Sequence, residues 1–360
     1  LRLSAEEDQA LFDLEKIFSA ACNEVAQIGL REKEHNRVRL HHLSYYFLRQ
    51  QFPKLGSQMC CNAIAKAAWC LKALKKPRKI LFKNGCSIHF DKRTYSLKGE
   101  TLSLFTLHKR IRIRLEISLF HKSFLDKGKI KEAELVRKGK RWFFHLVLDL
   151  PDPPLMQTNK AIAVDLGENV LAATSTGKLY GGGPLKEKRD QFLAHRKRLQ
   201  SNGSQAAKQR LRKISGREKR AVRHENHCVA KQIVSEAQSN GCSTIILEDL
   251  KNIRDRIKTS KKMRSRLHRW SFDSLRKFVE YKATAQGIQV LYVHPAYTSQ
   301  TCSYCLALGH RVKHRFYCSN CGSFQHSDLN ASQNLLRLGL SIGRSTGDVN
   351  RRHIAAFSGQ

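Results

Sequence analysis

An apolar stripe at helical spacing runs through the start of the chain. Leu11, Leu14, Phe18, Ala21, Val25 and Ile28 recur every three or four residues, behind Ser4 and Glu7 at capping-box spacing. A second helix is expected over 43–51, closed by Pro53. A third carries Cys60, Ile64, Ala67, Leu71 and Leu74 on one face and stops at Pro77. From Pro77 to Pro151 the period changes to two. Segments 79–82, 87–90, 102–107, 110–118 and 142–150 read as strands, with turns at Asn84-Gly85 and Lys138-Gly139. Arg110, Ile111, Arg112, Ile113, Arg114 and Leu115 alternate basic and apolar, which packs one sheet face and lines the other with guanidinium groups, partly offset by Glu116. Such a row serves either as a solvated face or as a phosphate contact.

After a proline-rich linker at 151–154 the pattern becomes α/β. Buried strands are expected at 161–165, 169–175, 178–181, 243–247 and 289–294, and helices at 272–286 and from about Asp328 to Leu338. Between them, 186–223 is a basic helical stretch with fourteen Lys and Arg against three acids. A second run, 251–269, holds nine basic residues against one acid. The tail after Gly343 is polar, and no internal repeat is present. The fold class expected is therefore multidomain α+β: an N-terminal helical lobe, an antiparallel β domain, and an α/β domain with a cysteine-rich insertion.

Charge changes the picture most. Sixty-six Lys and Arg against thirty Asp and Glu leave +36, a self-repulsion that a polyanion relieves. Nucleic acid is the expected partner. A membrane is not, since nothing approaches the roughly 18 apolar residues of a spanning helix. No signal peptide opens the chain, so a cytoplasmic location is expected. Eleven Cys, most of them single, do not make a secreted disulfide framework. Cys302, Cys305, Cys318 and Cys321 instead form two CxxC knuckles separated by twelve residues. That spacing suits one closed, structural Zn²⁺ site. His310, His314 and His326 lie nearby and, with four thiolates available, read as surface or nucleic-acid contacts.

Three carboxylates carry the candidate chemistry. Asp165 ends the strand Ala161-Ile162-Ala163-Val164, Glu248 and Asp249 end Ser243-Thr244-Ile245-Ile246-Leu247, and Asp328 opens a helix. Taken singly, each has an ordinary reading as a turn or first-turn acid. Together, on elements of one sheet, they can converge at one edge. Such a set suits two Mg²⁺ or Mn²⁺ ions roughly 3.5–4 Å apart for in-line phosphodiester hydrolysis. The set contains no soft ligand, which disfavours zinc there.

Val164-Asp165-Leu166-Gly167, Leu247-Glu248-Asp249-Leu250, Tyr297-Thr298-Ser299-Gln300-Thr301-Cys302 and Asp328-Leu329-Asn330-Ala331 resemble the motifs of the TnpB family, as do Trp270 to Leu275 and Tyr281-Lys282-Ala283. These are RNA-guided nucleases of bacterial insertion sequences, related to compact type V CRISPR effectors. The resemblance is specific over about 161–338 and rests mainly on domain order before that. It implies a RuvC-type, RNase H-like domain in which Asp165, Glu248 and Asp328 are the catalytic, Mg²⁺-binding triad and Asp249 is a neighbour. Cys302, Cys305, Cys318 and Cys321 become its zinc ribbon.

The implied domain map is a helical recognition lobe at 1–76, a wedge-like β domain at 77–154 and a nuclease domain at 155–295 with a basic helical insertion at 186–240. The ribbon at 296–325, the last nuclease segment at 326–343 and a polar tail at 344–360 complete it. Leu1-Arg2-Leu3 would be a remnant of the first wedge strand. The implied partners are a guide RNA, target double-stranded DNA and its displaced single strand, in a bacterial cytoplasm at the nucleoid. His326-Ser327 departs from the basic residue often found beside the last acid. Two other readings stay open: a guide-dependent DNA-binding protein that does not cut, and a guide-free RNase H-like or resolvase nuclease.

Overall fold

The computed structural model describes residues 1–74, 80–250, 272–294 and 298–345, with side chains through 341. It divides into two compact units, Leu1–Pro151 and Asp152–Gln360. No helix among the described residues is long and apolar enough to cross a membrane.

In the first unit, α1 (Ala5–Arg31) begins at a reciprocal cap: the Glu7 N–H donates to Ser4 Oγ and the Ser4 N–H donates to the Glu7 carboxylate. Leu11, Leu14, Phe18, Ala21 and Val25 are fully buried, as their spacing requires. α2 (Arg37–Gln51) starts six residues before the expected position. Asn36 supplies the signal, its Oδ1 accepting from the Val38 and Arg39 N–H groups. Only Leu40, Ser44 and Leu48 of α2 are buried, so its first turns carry little apolar periodicity. α3 (Ser57–Ala73) follows, and Leu74, expected on its buried face, lies past the last turn and is exposed.

Two three-stranded antiparallel sheets complete this unit, with orders β1-β5-β6 and β2-β3-β4. They comprise β1 (Ile88–Phe90), β2 (Tyr95–Lys98), β3 (Thr101–Phe105), β4 (Arg110–Arg114), β5 (Lys129–Lys138) and β6 (Arg141–Asp149). β2, β5 and the short α4 (Leu119–Lys127) escape the sequence pattern: β5 interleaves Lys and Glu with its apolar positions, and no residue of α4 is buried. The strand expected at 79–82 is not one over its described residues. The Phe82 N–H and carbonyl are satisfied by the Asn23 side-chain amide, at 2.7 and 3.0 Å, which takes the place of a ladder partner. β4 places Ile111 and Ile113 in the core and Arg110, Arg112 and Arg114 outside, as alternation predicts. Leu1 to Leu3 adopt no strand, although the Leu1 nitrogen donates to the Trp142 carbonyl of β6.

One core runs through helices and sheets, from Leu11 to Trp142. An ion pair crosses it: Glu15, 1% exposed, takes Arg137 Nη2 at 2.7 Å and Nε at 3.1 Å. Arg137 also lies over the rings of Phe12 and Trp142. Arg137→Ala strands a buried carboxylate and should cost about 3–5 kcal/mol in denaturant unfolding. Restoring most of that loss with a second change, Glu15→Leu, would confirm the cause. A single-variant loss below about 1 kcal/mol would refute it.

The second unit is built on a five-stranded sheet of order β11-β10-β7-β8-β9. β7 (Ala161–Asp165), β8 (Val170–Thr174) and β9 (Leu179–Gly181) form an antiparallel meander. β10 (Thr244–Glu248) lies parallel to β7, and β11 (Gln289–Val293) parallel to β10. α5 (Gly183–Asn202) and α6 (Gln205–Ser239) follow the meander, α7 (Phe272–Thr284) precedes β11, and α8 (Ser327–Ser345) closes the unit.

The two faces of the sheet take different partners because side chains alternate. Ile162, Val164, Ile245 and Leu247 pack with Val229 and Ile233 of α6 and Leu275 and Val279 of α7. Ala163, Ile246 and Val293 pack with Leu335 of α8. At Gly339 a Cβ would fall 2.3 Å from Ile246 Cδ1, so α8 approaches β10 as closely as it does only without a side chain there.

Candidate metal centres

The register brings two of the three predicted acids side by side. Leu247 pairs with Val164, so the residues that follow, Glu248 and Asp165, end adjacent parallel strands together. By alternation Asp165 shares the face of Ala163, and Glu248 that of Ile246, the face covered by α8. Asp328 sits in the first turn of that helix. Glu248 and Asp328 are each 7% exposed. The Asp165 and Glu248 carboxyl groups lie within hydrogen-bonding reach of each other, and the charge of Asp328 acts on both.

Burial and this crowding push Asp165 from 3.8 up to about 7 and Glu248 well above its ordinary value, while Arg311 pulls both down. The cluster is thus short of positive charge, as a cation site must be. A raised carboxyl pKa favours the folded state below about pH 4 and costs stability as pH rises through 7. In magnesium-free buffer, Asp165→Asn should therefore gain stability relative to the unaltered chain as pH rises from about 4 to 8. A stability difference independent of pH in urea unfolding would contradict this.

Several residues around the acids were given no role from the sequence. Arg311 Nη2 donates to Asp328 Oδ1 at 2.9 Å. The motif Asn330 is a clamp: fully buried, it donates to the Thr301 carbonyl at 2.7 Å and accepts from the Ser303 N–H and the Gln325 side chain. Asn334 donates to the carbonyls of Thr298 and Thr301. Buried amides at i and i+4 of one helix were the available sign.

The four cysteines also converge. Cys302 Sγ lies 3.6 Å from Cys321 Sγ, and Cys305 Sγ 3.4 Å from Cys318 Sγ. All four ligand atoms are within 4.8 Å of one another. These separations are far longer than the ~2.05 Å of a disulfide. They approach the ~3.8 Å edge of a tetrahedron with ~2.3 Å metal–sulfur bonds. The cluster can hold a metal ion. Cys305 is held down to about 6 by the Asn320 side chain and the Ala307 N–H, which favours thiolate. Around the cysteines stand β12 (His310–Val312), β13 (Arg315–Tyr317) and β14 (Phe324–His326), with Phe316 the large apolar residue in their small core.

The basic stretch at 186–223 lies on α5 and α6. Lys208, Arg210, Arg212, Lys213, Arg217, Lys219, Arg220 and Arg223 are exposed along α6. Its C-terminal half is anchored by Glu236, 4% exposed, which accepts from Tyr180 at 2.6 Å and from Thr174 and Thr176. The second basic run, the motif residues Trp270 and Tyr297, and the tail beyond Ser345 lie outside the described residues.

The chain is similar to known proteins. Residues 145–254 match the family model described as a probable transposase, OrfB_IS605, and residues 272–335 match the Cas12f1-like TNB domain. A CRISPR-associated endodeoxyribonuclease, Cas12f1 of Sulfoacidibacillus thermotolerans, is 33% identical over 222 residues, 55% of this chain and 50% of that protein. The chain thus spans about half the length of that relative. Among solved structures, a Cas12f1 from a complex with sgRNA and target DNA superposes with TM-score 0.63 at 16% identity, over 92% of this chain and 83% of that one, so the fold is shared. A TnpB-like protein of Methanocaldococcus jannaschii is 30% identical over 271 residues, 69% of this chain and 94% of that protein. On that near-complete match, the chain belongs to the TnpB family.

Proposed function

We propose that the protein is an RNA-guided DNA endonuclease that hydrolyses phosphodiester bonds at a single RuvC-type site. The observation that carries this is the pairing of Asp165 and Glu248 at the carboxyl edge of β7 and β10, with the charge of Asp328 on α8 acting on both. A meander of three strands followed by two parallel ones, in the order β11-β10-β7-β8-β9, supports an RNase H-like reading of the domain. Family membership and the relatives' names support nuclease activity.

Asp165, Glu248 and Asp328 would hold Mg²⁺ or Mn²⁺: the donors are all hard oxygens, and the surplus of negative charge fits divalent cations. Ions held there would supply an activated water and charge stabilisation for the leaving oxygen. The chain's own part is to fix the three carboxylates, Asp165 and Glu248 by strand register and Asp328 by the Asn330 and Asn334 clamps on α8. Cys302, Cys305, Cys318 and Cys321 would hold one structural Zn²⁺, leaving no coordination position for chemistry.

The exposed basic face of α6 and the Arg110, Arg112 and Arg114 row fit a polyanion held by its backbone, with sequence choice left to base pairing. The partners are then a guide RNA, target double-stranded DNA and the displaced strand. The helical lobe at 1–76 and the wedge-like sheets at 77–154 would check a short motif beside the target.

Reprogramming tests the reading. The protein should copurify with one defined transcript, and changing only that RNA's guide segment should move the cut in DNA. A cut site that stays put, or equal cutting after RNase treatment, would refute RNA guidance and leave a guide-free nuclease. Faithful target binding with no cutting under Mg²⁺ or Mn²⁺ would leave a guide-dependent binding protein.

A further inference from the structure

We propose that His314, His326 and Asp328 form a second metal site, suited to a divalent transition ion such as zinc, which inhibits cleavage by engaging Asp328. The site stands on geometry alone; its inhibitory role rests on the nuclease reading above.

One ligand atom from each residue lies within 4.8 Å of those of the other two. The two imidazoles are nearly parallel, 17° between planes and 5.6 Å between centroids. His314 is in the turn between β12 and β13, and His326 ends β14 opposite Arg315. The fully buried Ser327 ties these parts together. Its N–H donates to the His314 carbonyl at 2.9 Å, and its hydroxyl reaches the Lys313 carbonyl at 3.3 Å and Asp328 Oδ1 at 3.2 Å. The turn, the end of the strand and the first turn of α8 are thereby held in one arrangement before any ion arrives.

The site also presents usable donor atoms. A long hydrogen bond, 3.3 Å from the Asp328 N–H to His326 Nδ1, turns that ring toward the aspartate, and it is the contact an ion at this nitrogen would replace. Arg311 binds Asp328 Oδ1, and the second carboxylate oxygen is the one assigned to the ion. His314 is exposed and His326 half-buried, giving an open side for entry and for water ligands. Two imidazoles and one carboxylate favour zinc, cobalt or nickel over magnesium, which prefers oxygen alone. The other two acids offer only oxygen, so the two centres differ in metal preference while sharing Asp328. An ion held by the histidine pair takes that carboxylate from Asp165 and Glu248.

Cobalt uptake decides the site. The full chain, purified with its ribbon zinc retained, is dialysed against Co²⁺ in magnesium-free buffer and the bound metal is measured. In the Asp165→Asn/Glu248→Gln protein, where no carboxylate centre competes for Asp328, one Co²⁺ should be held with the histidines present and lost when His314→Ala/His326→Ala is added. Equal uptake with and without the histidines overturns the site. So does an ion held by the unaltered chain but not by Asp165→Asn/Glu248→Gln, which would assign it to the carboxylates.

Zinc titration of magnesium-dependent cleavage then tests inhibition, read for each protein relative to its own zinc-free rate. His314→Ala should need about tenfold more zinc for half inhibition. An unchanged zinc requirement overturns the inhibitory role. Protein that never cuts under Mg²⁺ overturns the nuclease reading and that role together, while the cobalt result still decides the site.

Discussion

Asp165→Asn, Glu248→Gln and Asp328→Asn are each expected to lower magnesium-dependent DNA cleavage by at least about a thousandfold, or about 4 kcal/mol of transition-state stabilisation. Each removes a negative oxygen donor from a buried cluster whose crowded carboxylates a cation would relieve. Affinity for guide RNA and target DNA should change by less than about threefold, because that affinity comes from Lys and Arg on phosphates. Unfolding at Asp165 is tested by the magnesium-free urea series, in which the amide should gain stability relative to the unaltered chain as pH rises. Cleavage within tenfold of the unaltered rate would remove that residue from the centre. Loss of cleavage with equal loss of nucleic-acid binding would assign it a structural role instead.

The second large effect concerns the ribbon. Cys302→Ser should remove one bound zinc per chain and reduce cleavage by at least about a hundredfold, although no cysteine belongs to the carboxylate cluster. The path is physical. Apart from its cysteines, the ribbon core is Phe316 and Ala307, too little apolar surface to hold a shape unaided. Ribbon residues in turn set the start of α8: Asn330 and Asn334 grip the Thr301 carbonyl, and Arg311 reaches Asp328. Release of the metal should therefore raise amide exchange over 298–335 while the core of β7 and β10 stays protected. Purified protein without stoichiometric zinc, or a Cys302→Ser variant that cuts normally, would rule this out.

What the sequence alone determined follows from local periodicity and from residue types with few uses. Stripes at period 3.6 located α1 and α3, alternation located β4 and β6, and short β-branched runs located β7 and β10. Two CxxC knuckles pointed to a cluster able to hold a metal ion, because four thiols so spaced have few other roles. Asp165, Glu248 and Asp328 could be proposed because each ends or begins an element whose pattern is plain, but only the TnpB resemblance singled out Glu248 from its neighbour Asp249. Elements held by polar contacts were not legible: α2 is announced by Asn36 rather than by apolar spacing, and β5 and α4 bury too little to leave a pattern. Residue 82 lost its strand to an amide, Asn23, that lies far from it in sequence.

Tertiary structure alone decided what surrounds the acids. Arg311 meets Asp328 across seventeen positions, His314 meets His326 across a hairpin, and Gly339 matters only because Ile246 lies against it. Those relations depend on strand order and helix docking, which no local pattern encodes. Periodicity shows which face of an element is buried; only the packed fold shows which polar groups share the space at its end.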